Sequence, residues 1–169
     1  MKNLKNTLCI AFFALTTIFN AEAQEKKASP AEMVQGKFNG AAVTINYSSP
    51  SVKGRAIWGE LVPFGKVWRA GANDATTFET NRDLTIEGQK LPAGKYAFFV
   101  IPEKDEATII FNKVWKQWGA YDYKQSEDVL RVKVKPMIRK DKSERLVYSF
   151  SPKAFVLSWD NWDLPIAVQ

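Results

Sequence analysis

Two stretches of the chain concentrate the side chains that could do chemistry. Residues 67–76 read VWRAGANDAT, with Trp68, Arg69, Asn73, Asp74 and Thr76 set among alanines and Gly71. The guanidinium of Arg69 offers a planar fork of donors suited to a carboxylate, a phosphate or a pair of sugar hydroxyls. Small residues between the polar ones let the backbone come close to a partner. Residues 112–128 carry Trp115, Trp118, Tyr121 and Tyr123, with Lys116, Gln117 and Asp122 between them. Indole and phenol rings present flat apolar faces with a polar edge, a combination that suits stacking on sugars or bases. Arg55 and Trp58, from the irregular stretch 48–65, could join the same surface. Each stretch also has a plainer reading. Asn73-Asp74 could form a tight turn, with Arg69 paired to an internal acid, and the aromatic rings could plug an open end of the fold.

What is missing bounds the rest. The chain has no histidine among its 169 residues, which excludes Ser-His-Asp and Cys-His catalysis, His-ligated zinc and an imidazole acid or base. Its one cysteine, Cys9, lies in the apolar run 8–19, which follows Lys2 and Lys5 and precedes Ala21-Glu22-Ala23. That three-part pattern reads as a secretory leader over 1–23, cleaved after Ala23, and the run is too short to span a bilayer. The destination is therefore outside the cytoplasm, periplasmic or extracellular. The domain expected over 24–169 has no cysteine for a disulfide, a thiolate nucleophile or a metal site. Paired carboxylates could still support glycoside hydrolysis, with Asp74, Glu79, Asp122 and Asp128 as candidates. A calcium site at Asp122 or in the 160–163 turn lacks a spaced ligand loop, so neither metal nor cofactor is expected. Net charge is +6. The basic stripe Arg131, Lys133, Lys135 reads as a solvated or edge-strand face and not as a nucleic-acid surface.

Residues of these kinds need a scaffold, and the alternation along the chain supplies one. Asn39-Gly40 between apolar runs predicts a hairpin of strands 33–38 and 41–47, with Val43, Ile45 and Tyr47 on one face. Short strands follow at 76–80 and 84–87, with a turn over 88–94. Residues 95–101 and 108–111 are apolar on both faces and read as buried strands. Alternation returns at 129–135, 146–150 and 155–159, with 136–144 expected as a charged loop and 24–30 as a loose start. Nine or ten short strands with no long helical period predict one all-β domain, an antiparallel sandwich of jelly-roll type or an open barrel.

Three segments add a resemblance. PSVKGRAIWGELVPFGKVWRAGANDATT (50–77), KLPAGKYAFFVIP (90–102), and WGAYDY with EDVLRVKV (118–134) occur in order, and together resemble the DUF2911 family. The resemblance implies a secreted bacterial β-domain and brings no catalytic residue with it.

These readings lead to an exported, non-catalytic binding domain for a carbohydrate or another polar cell-envelope ligand. Its expected contact residues are Arg55, Trp58, Trp68, Arg69, Asn73, Asp74, Thr76, Trp115, Trp118, Tyr121 and Tyr123. A carboxylate-based hydrolase and a protein-interaction module are the alternatives.

Overall fold

In the computed structural model, which describes residues 28–169, the chain is built from ten antiparallel strands and no α-helix. The leader expected over 1–23, and residues 24–27, lie outside the described residues. Ser29 and Pro30 are not loose. The Pro30 carbonyl accepts from the Ser49 amide at 2.8 Å and the Ser29 carbonyl from Asn73 Nδ2 at 3.3 Å.

The Asn-Gly signal is realised as expected. β1 (Ala31–Phe38) and β2 (Ala41–Ser48) pair in register from Phe38↔Ala41 outward, with Asn39 and Gly40 at φ 47° and 82°. Both turn positions need positive φ, which asparagine and glycine adopt most readily. β3 (Thr77–Thr80), β6 (Gly94–Pro102), β7 (Ala107–Asn112) and β8 (Asp128–Val134) complete a six-stranded sheet in the order β1-β2-β3-β6-β7-β8. β6 and β7 are central and buried, as their apolar runs predict. Between β3 and β6, β4 (Leu84–Ile86) and β5 (Gln89–Leu91) form a small hairpin. The turn expected over 88–94 therefore shrinks to Glu87-Gly88, both at positive φ.

The inner face of the sheet is covered by a long hairpin of β9 (Met137–Ser151) and β10 (Ala154–Ala167), which makes the fold an open sandwich. The charged loop expected over 136–144 is in fact the first half of β9. Its lysines and arginines are solvated, which hid the strand period. In β10 the inward residues are Phe155, Leu157 and Trp159, then Trp162, Leu164 and Ile166. The parity changes because the register shifts twice around Asp160, which sits at φ 49°. An extra residue in one strand re-aims the side chains beyond it.

Aromatic packing dominates this interior. Phe78 meets Phe155 at 5.2 Å and Phe111 at 5.1 Å. Trp58 stacks on Trp162 at 4.3 Å, and Trp68 on Trp159 at 5.7 Å. Burying one large side chain contributes roughly 1.5–3 kcal/mol, so this cluster holds the two layers together without covalent links. The outer face has a thinner cover. Ala97, Phe99 and Ile110 meet only Ala75, Val67, Ala120 and Tyr123 from the two irregular stretches.

Candidate functional site

The first stretch is held by its own hydrogen bonds. Trp68 pairs with Val100 as a continuation of the sheet, and Thr76 returns so that its carbonyl accepts from the Phe98 amide at 2.7 Å. Between them the chain loops out. Ala70 is forced to φ 52°, a strained value for alanine, and its carbonyl accepts from both Thr76 Oγ1 at 3.0 Å and the buried Tyr148 hydroxyl at 2.7 Å. Burial raises the Tyr148 phenol well above its ordinary range, so it stays a donor. Gly71 is required by space: a Cβ there would lie 2.8 Å from Thr76 Oγ1 and 3.1 Å from the Ser48 carbonyl. Asn73 tolerates φ 58° and ties the loop to Ser29 and Ser48. Thr76 and Asn73 are thus parts of a structural network.

The second stretch is anchored by buried Asn112. Its Nδ2 donates to the Lys124 carbonyl and to Asp128, and its Oδ1 accepts from the Val114 amide. Tyr123 donates to Asp128 Oδ2 at 2.6 Å, and Arg131 donates to both. Burial, reinforced by Asp128, pushes the Tyr123 phenol up to about 12. Backbone pairing then zips the two stretches together. The Ala75 amide donates to the Gln117 carbonyl and the Gly119 amide to the Asn73 carbonyl, with Asp74 opposite Trp118.

This zipping opens a cleft of about 510 Å³ between the β1–β2 ribbon and the second stretch. Asp74 and Trp115 line it, joined by Glu32, Met33, Asn46, Thr77 and Gln117. Lys95 caps one face of the Trp115 ring, its Nζ lying 4.5 Å from the ring centroid and 3.3 Å from Glu79. Gln117 is only 7% exposed. Its Nε2 donates to the Val114 carbonyl at 2.6 Å, which fixes the amide and leaves Oε1 buried without a partner. Thr77 Oγ1 is buried and unpartnered in the same wall. An unmade hydrogen bond in a buried polar group costs about 1–3 kcal/mol, so these two mark the cleft wall as a candidate contact surface.

The expected site residues do not all converge here. Trp118, 58% exposed, and Tyr121, 84% exposed, stand beside the cleft and do not line it. Arg69 is half-buried next to Gly119 and Tyr121, with no carboxylate partner among the described residues and with Nε unpaired. Burial pushes its pKa down, and the Tyr121 phenol acts in the opposite sense. Trp68 is buried in the inner core and is not presented to a ligand. Arg55 and Trp58 line a different depression that shares no residue with the cleft. Of the other carboxylates, Glu79 pairs with Lys95 and Asp128 with Arg131, while Asp122 is exposed. In the basic stripe, Arg131 and Lys133 are matched by Asp128 and Glu106.

Glu32, Asn46, Thr77 and Gln117 were not legible as site residues. Only Gln117 carried a signal, as an amide between two tryptophans.

The match to known families covers this whole framework, residues 29–168. The chain belongs to the DUF2911 family, described as a protein of unknown function. No curated protein and no solved structure matches it. In this DUF2911 chain no group of three or more potential metal ligands converges among the described residues. Nor is any helix among them long and apolar enough to cross a membrane.

Proposed function

We propose that this DUF2911 chain is an exported binding domain that takes a hydroxyl-rich polar ligand, a cell-envelope carbohydrate, in the outer-face cleft. The observation that carries this reading is the pair of unpartnered polar atoms, Gln117 Oε1 and Thr77 Oγ1, in a cleft walled by Trp115. A small shift of the wall on ligand entry uncovers both atoms, so that a sugar hydroxyl donates to Gln117 Oε1, a second exchanges a hydrogen bond with Thr77, and the ring face lies on indole. The volume is in the range of small-molecule sites. Export rests on the leader read from residues 1–23.

The test is an array of envelope glycans, with any hit titrated calorimetrically. Trp115→Ala should weaken binding by about 1–3 kcal/mol, the range for one lost aromatic stack. Failure of the wild type to bind any glycan would overturn the reading.

A second reading has one specific observation in its favour: two carboxylates, Glu32 and Asp74, line the same cleft. Paired carboxylates can hydrolyse glycosides. In that case the wild type turns over its glycan, and Asp74→Asn abolishes turnover while binding survives.

A further inference from the structure

The depression that receives Arg55 and Trp58 has a different chemistry from the cleft. It encloses about 410 Å³, between the loop before β3, the turn after β6 and the bulged part of the β9–β10 hairpin. Three cations line it, Arg55, Lys104 and Lys142, against a single carboxylate, Asp160. Lys142 Nζ lies 2.9 Å from Asp160 Oδ1, so the lining residues carry an excess of two positive charges, with Glu103, Asp105 and Glu106 in the adjoining depression that Lys104 also lines. Arg55 is held in place, its Nε donating to the Val52 carbonyl at 3.0 Å and its Nη2 to the Ser51 carbonyl. Lys104 makes no ion pair among the described residues.

Two neutral groups in the same wall lack partners. The indole Nε1 of Trp58 is a buried donor with no acceptor, and Asn161 Oδ1 is a buried acceptor with no donor. Both belong to parts of the chain where the backbone departs from regular structure. Asp160 sits at φ 49° between the two register shifts, and this double bulge is what turns Asp160 and Asn161 to the depression. Bulges and left-handed non-glycine residues cost energy and concentrate at binding sites.

We propose that this depression is a second, independent site, for a phosphate group borne on a hydroxylated carrier. Cations from three separate elements match an anion whose oxygens point in several directions, and two excess charges match a dianion. Ligand entry that opens the wall brings the buried Trp58 N–H to the same oxygens as a neutral donor. Asn161 Oδ1 accepts from a hydroxyl of the carrier, and the volume left beyond the phosphate accommodates it. The source of the phosphate is either a free phosphorylated molecule or an anionic lipid headgroup.

The test uses the full mature chain and heteronuclear NMR of the tryptophan indole N–H signals, with Trp58→Phe identifying the relevant one. Two probes are titrated: glycerol phosphate, and vesicles of phosphatidylglycerol in phosphatidylcholine against phosphatidylcholine alone. A saturable shift of the Trp58 indole signal with glycerol phosphate supports a free phosphorylated ligand. Binding to the anionic vesicles alone, weakened on Lys104 substitution, supports the headgroup. In either case Lys104→Gln should weaken binding by roughly two- to fivefold and Lys104→Glu by more, as for one exposed charge contact. Lys116→Gln, in the carbohydrate cleft, should leave phosphate binding unchanged, which separates this site from that one. The proposal is overturned if neither probe binds, or if binding is indifferent to the charge at Lys104.

Discussion

The two faces of the six-stranded sheet carry the same kinds of side chain and use them differently. On the inner face, Trp58, Trp68, Trp159 and Trp162 stack into one another under the β9–β10 hairpin. On the outer face, Trp115 and Trp118 stand exposed on the second stretch, and the two loops together cover only Ala97, Phe99 and Ile110 of the sheet. A layer of strands excludes water and satisfies its backbone in ladders, so rings beneath it are committed to packing. A layer of loops leaves gaps, and the gaps expose ring edges and unpaired amides. Tryptophan by itself therefore does not mark a site in this chain; what differs between the faces is how much of each ring the cover leaves open.

The largest expected effect follows from that contrast. Trp159→Ala should cost about 3–5 kcal/mol of stability in urea unfolding, as for other buried large-to-small changes. Trp118→Ala on the outer face should stay within about 0.5 kcal/mol, as for a surface substitution. Similar losses for both would erase the distinction between the faces.

Next in size is Trp115→Ala, expected to lower glycan affinity by about 1–3 kcal/mol while the melting temperature moves little, because the ring is 41% exposed.

A smaller effect, of opposite sign in stability and binding, is expected at Thr77. Thr77→Val keeps the shape and removes an unpartnered hydroxyl, so it should stabilise the free protein by up to about 1 kcal/mol and weaken the ligand. Calorimetric melting and titration of the same variant measure both.

The smallest is a pH effect. The fold favours the neutral Tyr123 phenol through burial and its hydrogen bond to Asp128. Its contribution is therefore complete below the ordinary tyrosine range near pH 10, and is lost as pH rises toward about 12. Tyr123→Phe should flatten the alkaline fall in stability and remove one late-titrating phenolate from the ultraviolet spectrum.

These elements were unequally legible in the sequence. Asn39-Gly40 and the alternation of Val43, Ile45 and Tyr47 are local signals, and the strands they predict are present. Reading of the last strand stopped at Trp159 because the double shift at Asp160 moves the inward residues from odd to even positions, and no residue there announces a bulge. β9 was shortened for a related reason. From Met137 to Glu144 it is largely solvated, so no apolar period is written into it. At the site, Asp74 and Trp115 were legible by type. Gln117 and Thr77 were not, because their importance lies in hydrogen bonds left unmade in the folded chain, a property of tertiary burial. Trp68 shows the converse. Its neighbours Arg69 and Asn73 made it look like part of a binding wall, while strand alternation turns it to the opposite face.

The account rests on Gln117 Oε1 and Thr77 Oγ1 as the groups that receive a ligand. The most direct measurement is heteronuclear NMR of the Gln117 side-chain amide and the Thr77 backbone amide during titration with a glycan selected on the array. The account predicts that both signals shift together and saturate at the calorimetric affinity, with the Trp159 indole signal unmoved. Saturable glycan binding that leaves Gln117 and Thr77 unshifted would contradict it.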